Sequence, residues 1–141
     1  MIELNWDDSE KTIICYTFHD PWTWDEYYAT NPKRDTMFRE TNQVIDIILD
    51  FRKGQHLPPK AMTHMRKVGT WDNPRRGVVI ILGVHSMLEL LANMLNSLYP
   101  QTNLKTPRPA KDLDHAHRLI QEIKGKREKL AQQHKQNAPL E

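Results

Sequence analysis

Residues 44–51 read Val-Ile-Asp-Ile-Ile-Leu-Asp-Phe, apolar at six of eight positions and without an alternating period. A strand of this composition belongs where both faces of a sheet are covered. Residues 77–84 (Gly-Val-Val-Ile-Ile-Leu-Gly-Val) repeat the pattern. Two such strands in a chain of 141 residues imply one central sheet with helices packed on it, in a single α/β domain.

The flanking segments fill in that architecture. Residues 2–6 alternate apolar and polar side chains, and residues 11–19 are rich in β-branched and aromatic ones. With the polar turn Asp7-Asp8-Ser9-Glu10 between them, they predict a hairpin. Asp20-Pro21 and Asn31-Pro32 are helix-start signals, predicting helical pieces over 22–30 and 33–41. Pro58 opens a helix to about Gly69, with Ala61, Met65 and Val68 on one face. His85-Ser86 precedes a Leu- and Met-rich helix over 87–98, and a short strand is expected near 104–106. The last helix starts near Ala110, with Leu113, Ala116, Ile120 and Ile123 on one stripe. The expected fold is a mixed sheet of four to five strands with about four helices. Its N-terminal hairpin is antiparallel and its inner strands parallel. The domain spans residues 1–123, and 124–141 form a polar, basic helical extension that projects or frays.

Charge divides unevenly along the chain. The formal net charge is +2, yet beyond residue 123 five basic residues (Lys124, Lys126, Arg127, Lys129, Lys135) face two acidic ones. The rest is nearly neutral, which argues against nucleic-acid binding by the folded surface. No apolar run approaches the length of a membrane span, and the N-terminus has no basic-then-apolar leader pattern. A lone cysteine, Cys15, fits a reducing compartment, so a cytoplasmic setting is expected.

The hairpin, the strand over 44–51 with its loop and helix, the strand over 77–84 and the Leu-rich helix together resemble a STAS domain (sulfate transporter and anti-sigma-factor antagonist). The similarity is greatest to divergent stand-alone relatives with a sporulation-antagonist-like fold. In that family the loop after the matching strand carries a phosphorylatable serine that controls binding to a kinase. This chain reads Arg52-Lys53-Gly54-Gln55-His56-Leu57-Pro58-Pro59-Lys60 there, without a hydroxyl. The resemblance implies the fold and an interaction role, but a phosphate cannot be placed at this helix start.

Candidate site residues follow from the rule that open α/β sheets bind ligands beyond the carboxyl ends of their strands. That edge would gather Asp50, Arg52, His56 and Lys60 with His85 and Ser86 from the next strand. It is expected to bind a protein partner or an anionic group; the plain alternative is helix capping by polar loop residues. A second expectation is a pocket between helices and sheet lined by Met62, Met65, Leu91 and Met94, for a small apolar ligand. The cluster Trp22-Thr23-Trp24-Asp25-Glu26-Tyr27-Tyr28 is either core packing or an exposed aromatic anchor. Lys60, Arg66, Lys67, Arg75 and Arg76 are candidates for a basic patch. Asp46 and Asp50 share one face of their strand, with Asp46 expected at a solvated strand start.

Catalytic patterns are lacking. His115 and His117 lie about 200° apart on a helix and cannot share an ion. No phosphate loop, nucleophile motif or His-x-x-x-His pair is present. The expectation is a non-enzymatic module without cofactor or metal. The alternative is a small-ligand carrier or an unrecognised enzyme. A homodimer through the hairpin edge or the last helix is compatible with the pattern.

Overall fold

The structure, a computed structural model, describes residues 1–83 and 104–136. Five strands form one sheet in the order β1-β2-β3-β4-β5: β1 (Ile2–Trp6), β2 (Ile13–His19), β3 (Ile45–Lys53), β4 (Arg76–Leu82) and β5 (Arg108–Ala110). β1 and β2 are antiparallel, with Leu4 opposite Tyr16. The other neighbours are parallel, pairing Ile14 with Ile47, Ile48 with Ile80 and Ile81 with Pro109. The mixed α/β architecture and the antiparallel hairpin beside parallel inner strands are therefore as the sequence indicates.

Helices α1 (Trp24–Ala29), α2 (Asn31–Arg39) and α3 (Ala61–Gly69) lie in the crossovers between β2, β3 and β4. Strands that advance in one direction with right-handed crossovers place such helices on one face. On that face Ile14, Tyr16, Phe18, Ile47, Leu49 and Phe51 pack against Trp22, Trp24, Tyr27, Met37, Phe38 and Met65. The opposite face of Ile13, Ile48, Val78, Ile80 and Leu82 receives Ala116, Ile120 and Ile123 of α4 (Leu113–Gln136). Coverage on both sides explains why β3 is apolar nearly throughout.

The element boundaries differ from the sequence reading for local reasons. Asp20 does not cap a helix. Its carboxylate accepts from the Gln55 and His56 amides, and the Thr23 hydroxyl caps α1 by accepting from the Glu26 amide. α3 starts at Ala61, because Lys60 adopts a left-handed backbone (φ 63°) after two prolines. The short last strand lies at 108–110, after the expected position. The helix expected over 87–98 lies outside the described residues. α4 continues to Gln136, beyond the end of its apolar stripe.

The aromatic cluster is core. Trp22, Trp24 and Tyr27 are buried, so the exposed-anchor reading of these three does not hold. The Trp22 indole donates to the Gly54 carbonyl (3.2 Å) and that of Trp24 to the Pro59 carbonyl (3.1 Å). Phe18 and Phe51 stack at 4.2 Å between ring centroids. Such pairs add about 0.5–1.5 kcal/mol beyond their burial. Gly54 permits this packing: a Cβ there would stand 2.6 Å from the Phe18 Cβ.

Asp46 is not solvated. It is fully buried and holds Arg127 of α4 in a bidentate pair (2.7 and 2.9 Å), while also accepting from the Val78 amide (2.8 Å). The helix beyond Ile123 is thereby fastened at Arg127, and Lys124 adds a bond to the Thr12 hydroxyl (2.8 Å). Residues 128–136 are exposed.

Candidate ligand cleft

The strand-end edge is a set of separate, locally satisfied pairs. Asp50 accepts from Arg52 Nε (2.9 Å) and Nη2 (2.8 Å) and from the Arg52 amide (3.1 Å). Burial alone would raise the Asp50 pKa, but the Arg52 hydrogen bonds and nearby positive charge outweigh it and hold the group below its ordinary range. His56 is turned outward, 92 % exposed at the side chain, and bonds Asp20 through Nδ1 at 2.9 Å. Lys60 stands exposed at the α3 start. His85 and Ser86 lie outside the described residues. Asp50 and Arg52 are thus brought together, whereas His56 belongs with Asp20 and Lys60 with α3.

The expected basic patch is dispersed. Arg75 donates to the Phe38 and Thr41 carbonyls, and Arg76 is buried at the foot of β4. Only Lys60, Arg66 and Lys67 of that group are exposed. Among the described residues no group of three or more His, Cys, Asp or Glu side chains is arranged to hold a metal ion. None of the described helices is long and apolar enough to cross a membrane.

A concave site lies instead over the helical face of the sheet. Between the sheet and α3 there is a cavity of about 50 Å³, whose walls include Ile47, Leu49, Met65, Val68 and Val79. Beside it, a groove of about 260 Å³ runs between α1–α2 and α3, past Tyr28, Asn31 and Lys67. Tyr27, Arg34, Val68 and Trp71 line both spaces.

The polar groups of this cleft are built in. Arg34 is buried on the helix stripe it shares with Met37 and Phe38. Its guanidinium lies 3.9 Å from the Trp71 ring centroid and donates to Asp35 and Asn31. A cation over an indole face gains about 0.5–2 kcal/mol, so Arg34 and Trp71 hold each other in place. Burial pushes the Tyr16 phenol up to about 12, despite a hydrogen bond with Arg34, and pushes Tyr27 well above its ordinary value. Both phenols are therefore neutral at physiological pH. At the groove, the Tyr28 hydroxyl and His64 Nδ1 hydrogen-bond at 2.7 Å, and His64 stacks on Trp24. The Lys67 ammonium lies 4.7 Å from the Tyr28 ring centroid.

No family model, curated protein or solved structure matches the chain.

The methionine-lined pocket of the sequence reading is met in one residue. Met65 is buried in the cavity wall, whereas Met62 faces solvent at 57 % exposure. Leu91 and Met94 lie outside the described residues. The residues that sequence reasoning missed are Arg34 and Trp71. The available signal was an arginine three residues before Met37 and four before Phe38, on an otherwise apolar stripe.

Proposed function

We propose that this chain is a non-enzymatic binding module resembling a STAS domain, and that it binds a small ligand in the cleft between α1–α2 and α3. The observation that carries this reading is that a small, mostly apolar cavity and an aromatic and cationic groove lie side by side and share Tyr27, Arg34, Val68 and Trp71 as walls, with the buried Arg76 also lining the cavity. Small-molecule sites have this make-up: a mostly apolar hollow with a few fixed polar groups. The STAS likeness is supported by the hairpin followed by parallel strands. With no hydroxyl between Arg52 and Lys60, a ligand rather than a phosphate would change the module's state. The lone Cys15 agrees with a cytoplasmic setting.

Native mass spectrometry of freshly purified protein tests the reading. A dissociable adduct is expected, and it should be lost when Val68→Trp fills the junction of cavity and groove. Its repeated absence from protein prepared in several hosts would count against a resident ligand.

A second reading places a protein partner on the strand-end edge. It is favoured by the outward His56 ring, held by Asp20. Replacing Arg52, His56 and Lys60 by alanine would then abolish partner capture without changing ligand binding in the cleft.

A further inference from the structure

We infer that β1 is a self-pairing edge: two copies of this chain join antiparallel through it, Leu4 against Leu4, and merge their five-stranded sheets into one.

The backbone fixes which groups of β1 can pair outward. The Asp7 amide donates to the Ile13 carbonyl and the His19 amide to the Met1 carbonyl, both at 2.8 Å. In an antiparallel ladder such bonded pairs recur at every second residue, so Glu3 and Asn5 also turn their N–H and C=O groups toward β2. Ile2, Leu4 and Trp6 turn theirs to the edge. Among the described residues nothing bonds these outward groups. Native edges are ordinarily blunted by shortness, proline, lysine or a bulge. The far edge follows that rule, since β5 has three residues and carries Arg108 and Pro109, the latter without an N–H. β1 does not. It runs five residues, Ile-Glu-Leu-Asn-Trp, in unbroken register with β2.

Only one register uses all three outward residues. Leu4 against Leu4 sets Ile2 of each copy against Trp6 of the other. A shift by one bonded pair leaves Trp6 or Ile2 without a strand partner. It also sets Glu3 against Glu3, or Glu3 against Asp7, and like charges directly opposite are destabilising. In the Leu4 register Glu3 faces the neutral Asn5, at the non-bonded positions where side chains approach most closely. On the helical face Ile2 and Trp6 are partly exposed on either side of the buried Leu4. Pairing makes them cross-strand neighbours, a β-branched side chain against an aromatic one, which is a favourable combination. The same patch serves both copies, as a two-fold interface requires.

Sedimentation equilibrium of the full chain tests the pairing. The chain should dimerise with a Kd at or below about 100 μM. Asn5→Glu sets two equivalent Glu–Glu pairs in the interface and should weaken the dimer about fivefold. Adding Glu3→Lys turns both into Lys–Glu pairs and should restore it. Glu3 and Asn5 are exposed, so the variants are expected to fold, which circular dichroism checks. A dimer indifferent to Asn5→Glu, or one that Glu3→Lys fails to restore, overturns this register. A chain that stays monomeric to the same concentration overturns self-pairing and leaves the edge to a strand of another protein. The cleft takes no part in this contact, so its ligand reading stands or falls separately.

Discussion

Asp46 and Arg127 meet through two hydrogen bonds of 2.7 and 2.9 Å, joining the start of β3 to the last helix across 81 positions of sequence. The carboxylate has no exposure to solvent, so it depends on this partner and on the Val78 amide. Removing one member of a buried pair leaves an uncompensated charge, at a cost of about 3–5 kcal/mol. Arg127 is itself partly exposed, which favours the lower end. Arg127→Ala should lower the unfolding free energy obtained from urea titration by that amount. A loss below about 1 kcal/mol would mean that water reaches Asp46.

Gly77 makes room for the pair. A Cβ there would collide with Asp46 Oδ1 and stand 2.6 Å from Arg127 Nη1. Gly77→Ala should destabilise the protein to a similar degree. Because the two substitutions break the same contact, the double variant should lose clearly less than their sum. Additive losses in the urea series would separate Gly77 from the pair.

Acid stability reports the Asp50–Arg52 pair. The folded pKa of Asp50 lies below its ordinary 3.8, so its contribution is fully present above that value and is lost as pH falls through the folded pKa. Asp8 acts in the same window, because hydrogen bonds from Thr12 and Ile13 outweigh the effect of its burial. Asp50→Asn should therefore reduce, without abolishing, the slope of stability against pH below 3.8. An unchanged slope in acid titrations of the unfolding free energy would remove Asp50 from this role.

Burial pushes the Cys15 thiol up to about 11 from 9.0, so at pH 8 the native protein holds about a hundredfold less thiolate than the unfolded chain. Iodoacetamide labelling should be correspondingly slow in buffer and fast in urea. Equal rates would show that Cys15 is not shielded in the folded state.

The sheet was largely legible because its signals are local. The apolar runs around Ile48 and Ile80 announce strands covered on both faces, and the polar turn before Lys11 announces the hairpin. The cleft was not legible, because it is assembled from distant parts: Arg34 from α2, Val68 from α3 and Trp71 from the following turn. The same holds for Asp46, whose solvent-exposed reading failed once Arg127 arrived from the far end of the chain. Asp20-Pro21 looked like a helix start by composition, yet the Asp20 carboxylate is engaged by the loop at Gln55 and His56. Local pattern carries propensity, and tertiary partners decide where a polar side chain goes.

The four tryptophans give the most direct test of the central claim, that the ligand enters the cleft between α1–α2 and α3. Trp71 lines cavity and groove, Trp22 and Trp24 donate to the loop carbonyls of Gly54 and Pro59, and Trp6 donates to Glu40. Their indole N–H signals in a nitrogen–proton correlation spectrum, assigned by single Trp→Phe substitutions, therefore report separate regions. Titration with the ligand that native mass spectrometry detects should move the Trp71 signal most and leave that of Trp6 in place. Movement centred on Trp22, whose indole donates to Gly54, with Trp71 unchanged would put binding at the strand-end loop and contradict the account.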